Sequence, residues 1–110
     1  MKCYSLSLGA RNTPQAGRRF SSRDEGAVRA VTRRHFPEGF TMVETTGGWF
    51  DPARQRFVKE ESRQILVCTR DVRRLRPWCR ELAARLQQRE LLVVELGAVR
   101  KFQFRFGGGA

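Results

Sequence analysis

The order of hydrophobic patterns along the chain predicts an α+β fold, a ferredoxin-like β-α-β-β-α-β sandwich with an extra C-terminal strand. Three observations carry this. Runs that read as strands fall at residues 2–8, 40–46, 57–69 and 91–96. Segments with helical apolar spacing lie between them, near residues 22–35 and 71–88. One further strictly alternating run, residues 101–106, follows the last strand. With 110 residues and 40% hydrophobic content the chain makes one domain with a core of its own, residues 1–106, and the Gly-rich tail 107–110 is expected to be disordered.

Each element has its own warrant. In KCYSLSL, residues 2–8, Tyr4, Leu6 and Leu8 share one face and Cys3, Ser5 and Ser7 the other, the pattern of a half-buried strand. GARNTPQAGRR, residues 9–19, combines two Gly, a Pro and three Arg and reads as a mobile loop. Ser21 or Ser22 caps the first helix; Ser22 with Glu25 fits a capping box, and Phe20 can serve as the staple before it. Val28, Val31 and His35 give this helix a narrow apolar stripe, and Pro37-Glu38-Gly39 ends it. In the second helix Val72, Leu75, Cys79, Leu82 and Leu86 step by three and four, leaving the arginines for other faces. LLVVEL, residues 91–96, is apolar on both sides and is expected to be a central strand. Gly97 then turns the chain into KFQFRF, residues 101–106.

The stretch GFTMVETTGGWFDP, residues 39–52, raises the question of a phosphate loop. Such a loop places glycines directly before a helix, so that backbone N–H groups and the helix end face the anion. Here Gly47-Gly48 is followed by Trp49-Phe50-Asp51-Pro52 and then a strand, so a bend or bulge between strands two and three is expected. Trp49 is either a core plug or an exposed stacking platform. The wider segment from Phe36 to Val67 resembles a family of small bacterial proteins of unknown function. The pattern is an F-P-x-G-(F/L)-T turn, a G-x-W motif and an E-x-S-(K/R) stretch before an apolar strand. Phe36, Pro37, Gly39, Phe40, Thr41, Gly47 or Gly48, Trp49, Glu60 or Glu61, Ser62 and Arg63 carry it. The resemblance spans about a third of the chain and implies no particular chemistry.

Charge is the dominant compositional feature: 22 Lys plus Arg against 11 Asp plus Glu give a formal +11. A field of that sign draws nucleic acid, nucleotides, anionic lipid or an acidic protein. Lys2, Lys59 and Lys101 are the only lysines, so the charge resides in arginine, whose fork suits phosphate and carboxylate. A GC-rich coding genome produces the same bias. Arg11, Arg18, Arg19 and Arg23 gather around the loop that enters the first helix, a natural anion cradle with the helix end. Arg70, Arg73, Arg74 and Arg76 form a second group at the start of the next helix; both groups also fit a merely solvated surface.

Other functions are disfavoured. RNA-recognition domains of the same strand order carry aromatics on strands one and three, whereas strand three here reads RFVKEESRQILV and strand one offers only Tyr4. Cys3, Cys68 and Cys79 include no C-x-x-C pair and the lone histidine is His35, which argues against structural zinc. Cys68 and Cys79 fall on apolar positions, where a thiol packs as a small hydrophobe. No signal-peptide core or membrane span is recognisable, so reduced cytosol is the expected compartment.

The resulting expectation is a small, non-enzymatic cytoplasmic binding protein without cofactor, catalytic residue or metal, that captures a nucleotide or a nucleic-acid backbone. Its ligand residues are expected to be Arg11, Arg18, Arg19, Arg23, Trp49 and Arg63. It is expected to form a homo-oligomer through apolar sheet surfaces, and a phage or mobile-element accessory role, sequestering a signal or blocking a host enzyme, fits its size. The alternatives are a small enzyme using His35 or a strand glutamate as base, or an inhibitor of an acidic protein partner.

Overall fold

The computed structural model describes residues 1–10, 19–88 and 91–98. Its elements are β1 (Lys2–Gly9), α1 (Ser22–His35), β2 (Thr41–Asp51), β3 (Arg56–Thr69), a 3₁₀ turn (Val72–Arg74), α2 (Leu75–Leu86) and β4 (Leu92–Ala98). The four strands make one antiparallel sheet in the order β2-β3-β1-β4. This is the predicted ferredoxin-like sandwich. The expected extra strand at 101–106 and the tail 107–110 lie outside the described residues.

Alternation in β1 sends Tyr4, Leu6 and Leu8 into the core, where they meet Ile65 and Val67 of β3, Val28 and Val31 of α1, and Leu82 and Leu86 of α2. The largest core side chain is Trp78, which the apolar stripe read from the sequence does not include. Its indole N–H donates to Thr32 Oγ1 at 3.0 Å, and its ring meets Phe36 edge-on at 5.1 Å. Burying a ring of that size removes roughly 150–250 Å² from water, a gross gain of about 4–6 kcal/mol.

The stripe is displaced because α2 starts at Leu75, with residues 72–74 in 3₁₀ geometry. Pro77 explains the boundary: its ring would clash with the carbonyl of residue 73 in a longer α-helix. Val72 is consequently 58% exposed, and the buried row is Trp78, Leu82 and Leu86, spaced by four. In α1 the cap is Ser21, whose hydroxyl accepts from the Asp24 N–H at 3.0 Å. The Ser22–Glu25 capping box does not form, and Glu25 is left to face β3.

Three more expectations need correcting. Gly47 and Gly48 form no bend: β2 runs on to Asp51 with Gly47 opposite Glu60 and Gly48 opposite Lys59. A Cβ on Gly48 would lie 2.2 Å from the Phe57 ring, so the glycine makes room for an aromatic ring reaching diagonally across the hairpin. The reversal comes at residues 52–55, where Asp51 Oδ1 accepts from the Ala53 N–H at 3.0 Å and Gln55 takes φ 52°. Strand β4 is not central: among the described residues it pairs only with β1, so Leu92, Val94 and Leu96 are exposed. Lastly, Cys68 is not a packed thiol. Cys3 and Cys68 oppose each other directly in the β1–β3 register and are joined in a disulfide. A separation of 65 residues concealed that pairing, because it depends on register rather than spacing. Cys79 remains a half-buried thiol, and burial pushes its pKa up.

Candidate functional site

Strands β2 and β3 present a square of side chains on the helix-covered face, just beyond the start of α1. Glu44 lies opposite Arg63 and Thr46 opposite Glu61. Residues two apart on a strand share a face, so this square follows from the register alone. Together with Thr45 these residues line a cleft of about 490 Å³.

Arg63 is the unusual member. Its side chain is only 7% exposed, at a position continuing the inward row of Ile65 and Val67. A buried guanidinium is tolerated only with compensating partners. Nη1 donates to the Ser62 carbonyl at 2.9 Å, and Nη2 donates to Glu25 Oε2 at 3.2 Å with Glu44 Oε1 at 3.8 Å. The Phe20 ring covers the guanidinium, with the Arg63 carbon 4.7 Å from its centroid. Nε, however, is buried without a hydrogen-bond partner among the described residues.

The start of α1 closes this corner. The Phe20 N–H donates to Glu61 Oε2 at 2.7 Å, which fastens the entry to the helix onto β3. Arg29, and after it Arg63, hold the Glu25 carboxyl below the usual carboxylate range through hydrogen bonds. Glu44 behaves differently: its side chain is 78% exposed and stands at the open side of the cleft. The site therefore combines a buried cation having one unused donor with carboxylates and a threonine hydroxyl, a set able to orient a polar ligand and to accept a proton.

Of the six residues expected at the site, the structure places Arg63 within the cleft. Arg19 and Arg23 are exposed beside it, flanking Phe20 and the Ser21 cap. Arg11 and Arg18 lie outside the described residues. Trp49 is elsewhere, 42% exposed and opposite Val58 on the outer part of the hairpin, on the face away from the helices. Among the arginines of the second group, Arg73 pairs with Asp71 at 2.9 Å, while Arg74 pairs with Glu38 and covers the Phe36 ring at 5.3 Å. His35 is held by Glu81 at 3.3 Å at the far end of α1, about 20 Å from the cleft at 1.5 Å per helical residue. Glu44, Thr46 and Glu61 were not singled out as a site from sequence. Their shared parity opposite Arg63 is the signal that finds them once the register is known. No helix among the described residues is long and apolar enough to cross a membrane.

No family model matches the chain, and no curated protein sequence matches it. Solved structures do. A phage SAM lyase in complex with S-methyl-5'-thioadenosine superposes with a TM-score of 0.59 at 16% identity, covering 84% of this chain and 77% of that one. The periplasmic divalent cation tolerance protein CutA from Archaeoglobus fulgidus gives 0.57 at 9% identity, covering 92% and 88%. The B. subtilis GlnK–ATP complex gives 0.51 at 12% identity, covering 87% and 84%. At these identities the likeness is one of fold. The lyase corrects the expectation of a chain without catalysis, since an enzyme is built on this same sandwich. The reason is physical: activity resides in a few side chains placed by register, which a scan for sequence motifs does not register.

Proposed function

We propose that this protein binds a small organic ligand in the β2–β3 cleft, with an anionic group of the ligand pairing with the Arg63 guanidinium. The observation that carries this reading is a nearly buried guanidinium, that of Arg63, in the wall of an open polar cleft. A charge-assisted hydrogen bond from a guanidinium to a carboxylate or phosphate oxygen is worth about 1.5–3 kcal/mol. Two similar structures hold adenosine compounds, S-methyl-5'-thioadenosine and ATP, which makes nucleoside-bearing metabolites the first ligands to test. Glu44 is the cleft carboxylate most open to such a ligand and is the base if the ligand is turned over. The exposed arginines then act at long range, drawing anions toward the cleft.

The reading includes self-association. Val43, Leu66, Leu92 and Val94 lie on the sheet face away from the helices, and Val43, Leu92 and Val94 are exposed. Apolar side chains gathered on one open sheet face favour contact with a second copy.

Native mass spectrometry of protein purified from its host reports stoichiometry and any retained small molecule. Calorimetric titration with ATP and S-adenosylmethionine, with the uncharged S-methyl-5'-thioadenosine as the control lacking an anionic group, on wild type and Arg63→Lys, then locates the site. One ligand per chain, weakened at least tenfold by Arg63→Lys, supports the reading. Binding of ATP or S-adenosylmethionine that Arg63→Lys leaves unchanged, or no binding by either, contradicts it. Mass analysis of the incubated ligand reports turnover in the same samples.

A further inference from the structure

The β2–β3 hairpin carries a second feature on the same face as the cleft. Strand β1 pairs with β3 only from Ser62 to Thr69, so among the described residues the outer hairpin, 47–51 with 56–60, joins no further strand. There Phe50 and Phe57 lie opposite each other, 54% and 62% exposed. Strand parity puts both on the side of Glu44, Thr46, Glu61 and Arg63, whereas Trp49 and Val58 point the other way. One cross-strand pair, Gly48 opposite Lys59, separates the rings from the cleft. Gly48 decides how the ring is held. Phe57 Cε1 and Cζ would lie 2.2 and 2.6 Å from a Cβ at this position, so the ring occupies the volume of the missing side chain. It leans from the hairpin tip toward the cleft, low over the β2 backbone. A cross-strand aromatic pair steadies a ribbon without any glycine, and a glycine weakens a strand. The glycine here therefore serves the placing of the ring. The ring's inner end is one pair, roughly 7 Å along the strand, from Thr46 and Glu61, and roughly 13 Å from Arg63.

We propose that Phe57, with Phe50 opposite it, is the base-stacking platform of a nucleoside polyphosphate site whose phosphate end is the cleft. The proposal rests on the cleft being the ligand site and names the residues that recognise the ligand's other end. The phosphates run from Arg63 past the exposed Lys59, and the base lies on the Phe57 ring. The charges along this path suit a polyanion. Arg63 and Lys59 belong to the face itself, Arg29 holds Glu25 at 3.1 Å, and Arg19 and Arg23 are exposed at the same corner. The opposing carboxylates are Glu25, Glu44 and Glu61. Glu25 is already paired, Glu61 accepts from the Phe20 N–H, and Glu44 is 78% exposed and free to turn to solvent. Asp51, Arg56 and Glu60 belong to the opposite face. Stacking on an aromatic side chain accepts any base, so the platform selects a nucleotide over a bare polyphosphate.

Three probes separate the possibilities: ATP carries both ends, tripolyphosphate the anionic end and adenosine the base. Each is titrated by calorimetry into full-length wild type, Phe57→Ala, Phe57→Trp and Arg63→Lys, with circular dichroism confirming that each variant is folded. The expected result is that ATP binds at least tenfold more tightly than either half-ligand. Phe57→Ala should weaken ATP about tenfold, the loss of one stacked base, and leave tripolyphosphate unchanged. Phe57→Trp should restore ATP affinity and add an indole fluorescence that ATP quenches and tripolyphosphate does not. Tripolyphosphate binding as tightly as ATP, or Phe57→Ala weakening both alike or neither, overturns the platform; the cleft then stands if Arg63→Lys still weakens binding. A Phe57→Ala protein that loses an oligomer in light scattering while ATP affinity is unchanged assigns the ring to a second copy and likewise overturns the platform. If neither ATP nor tripolyphosphate binds, or Arg63→Lys leaves ATP affinity unchanged, the platform and the cleft reading fall together.

Discussion

Replacing Trp78 with Phe tests how the core is held together. The indole fills the space between α1, α2 and the sheet, and its N–H is bonded to a Thr32 hydroxyl that is also fully buried. The substitution removes roughly 40 Å³ of side chain, worth about 1 kcal/mol of cavity cost at about 24 cal/mol per Å³. It also orphans the Thr32 hydroxyl, at about 1–3 kcal/mol. The total is about 2–4 kcal/mol, a Tm fall of about 10 °C or more for a domain of this size. Thr32→Val alone strands the indole N–H and should cost a similar orphan penalty. In the double variant neither polar group is left unpaired, so the two changes together should cost about 1–2 kcal/mol less than the sum of the singles. Urea denaturation followed by circular dichroism gives all the required free energies. A Trp78→Phe cost below about 1 kcal/mol, or strict additivity of the two changes, would refute the account of this contact.

Other perturbations have equally definite outcomes. Reduction of the Cys3–Cys68 bridge, or Cys3→Ser with Cys68→Ser, should destabilise the fold by about 2–4 kcal/mol because a loop of 65 residues is released, measured by thermal melts with and without reductant; an unchanged melt counts against a stabilising bridge. Glu25 has a folded-state pKa depressed below its ordinary 4.5, so the stability it contributes is present above that value and is lost as pH falls through the lower folded value. Glu25→Gln should therefore flatten the acid side of the stability profile, and a profile identical to wild type contradicts the Arg29–Glu25–Arg63 linkage. Val94→Asp places a charge on the open sheet face and should convert an oligomer to monomer in light scattering, whereas a wild type already monomeric at high micromolar concentration contradicts the assembly reading.

The fold was legible because its strands and helices obey simple periods. Residues 22–35 read as helix and are helix, since Val28 and Val31 fix the inward face and a serine cap marks the start. What escaped the sequence depended on neighbours distant along the chain. Gly47-Gly48 resembled a break because glycine disfavours strand interiors, yet the Phe57 ring needs the space that Gly48 leaves. Trp78 was hidden behind Pro77, which moves the helix start and rotates the buried row. Arg63 was recognised as a candidate, but its partners Glu44, Thr46 and Glu61 become a group only when β2 and β3 are set in register. Surface arginines dominated the charge count, which drew attention away from the carboxylates of Glu25 and Glu44 beside Arg63.

The central claim is that a ligand's anionic group pairs with the Arg63 guanidinium in this cleft. A crystal structure of the protein with the small molecule it retains in native mass spectrometry addresses it most directly. The account predicts a ligand oxygen within about 3.2 Å of a guanidinium nitrogen of Arg63, with the rest of the molecule in the cleft lined by Glu44, Thr46 and Glu61. A ligand bound along the surface arginines or on the hairpin beside Trp49, with no contact to Arg63, would contradict it.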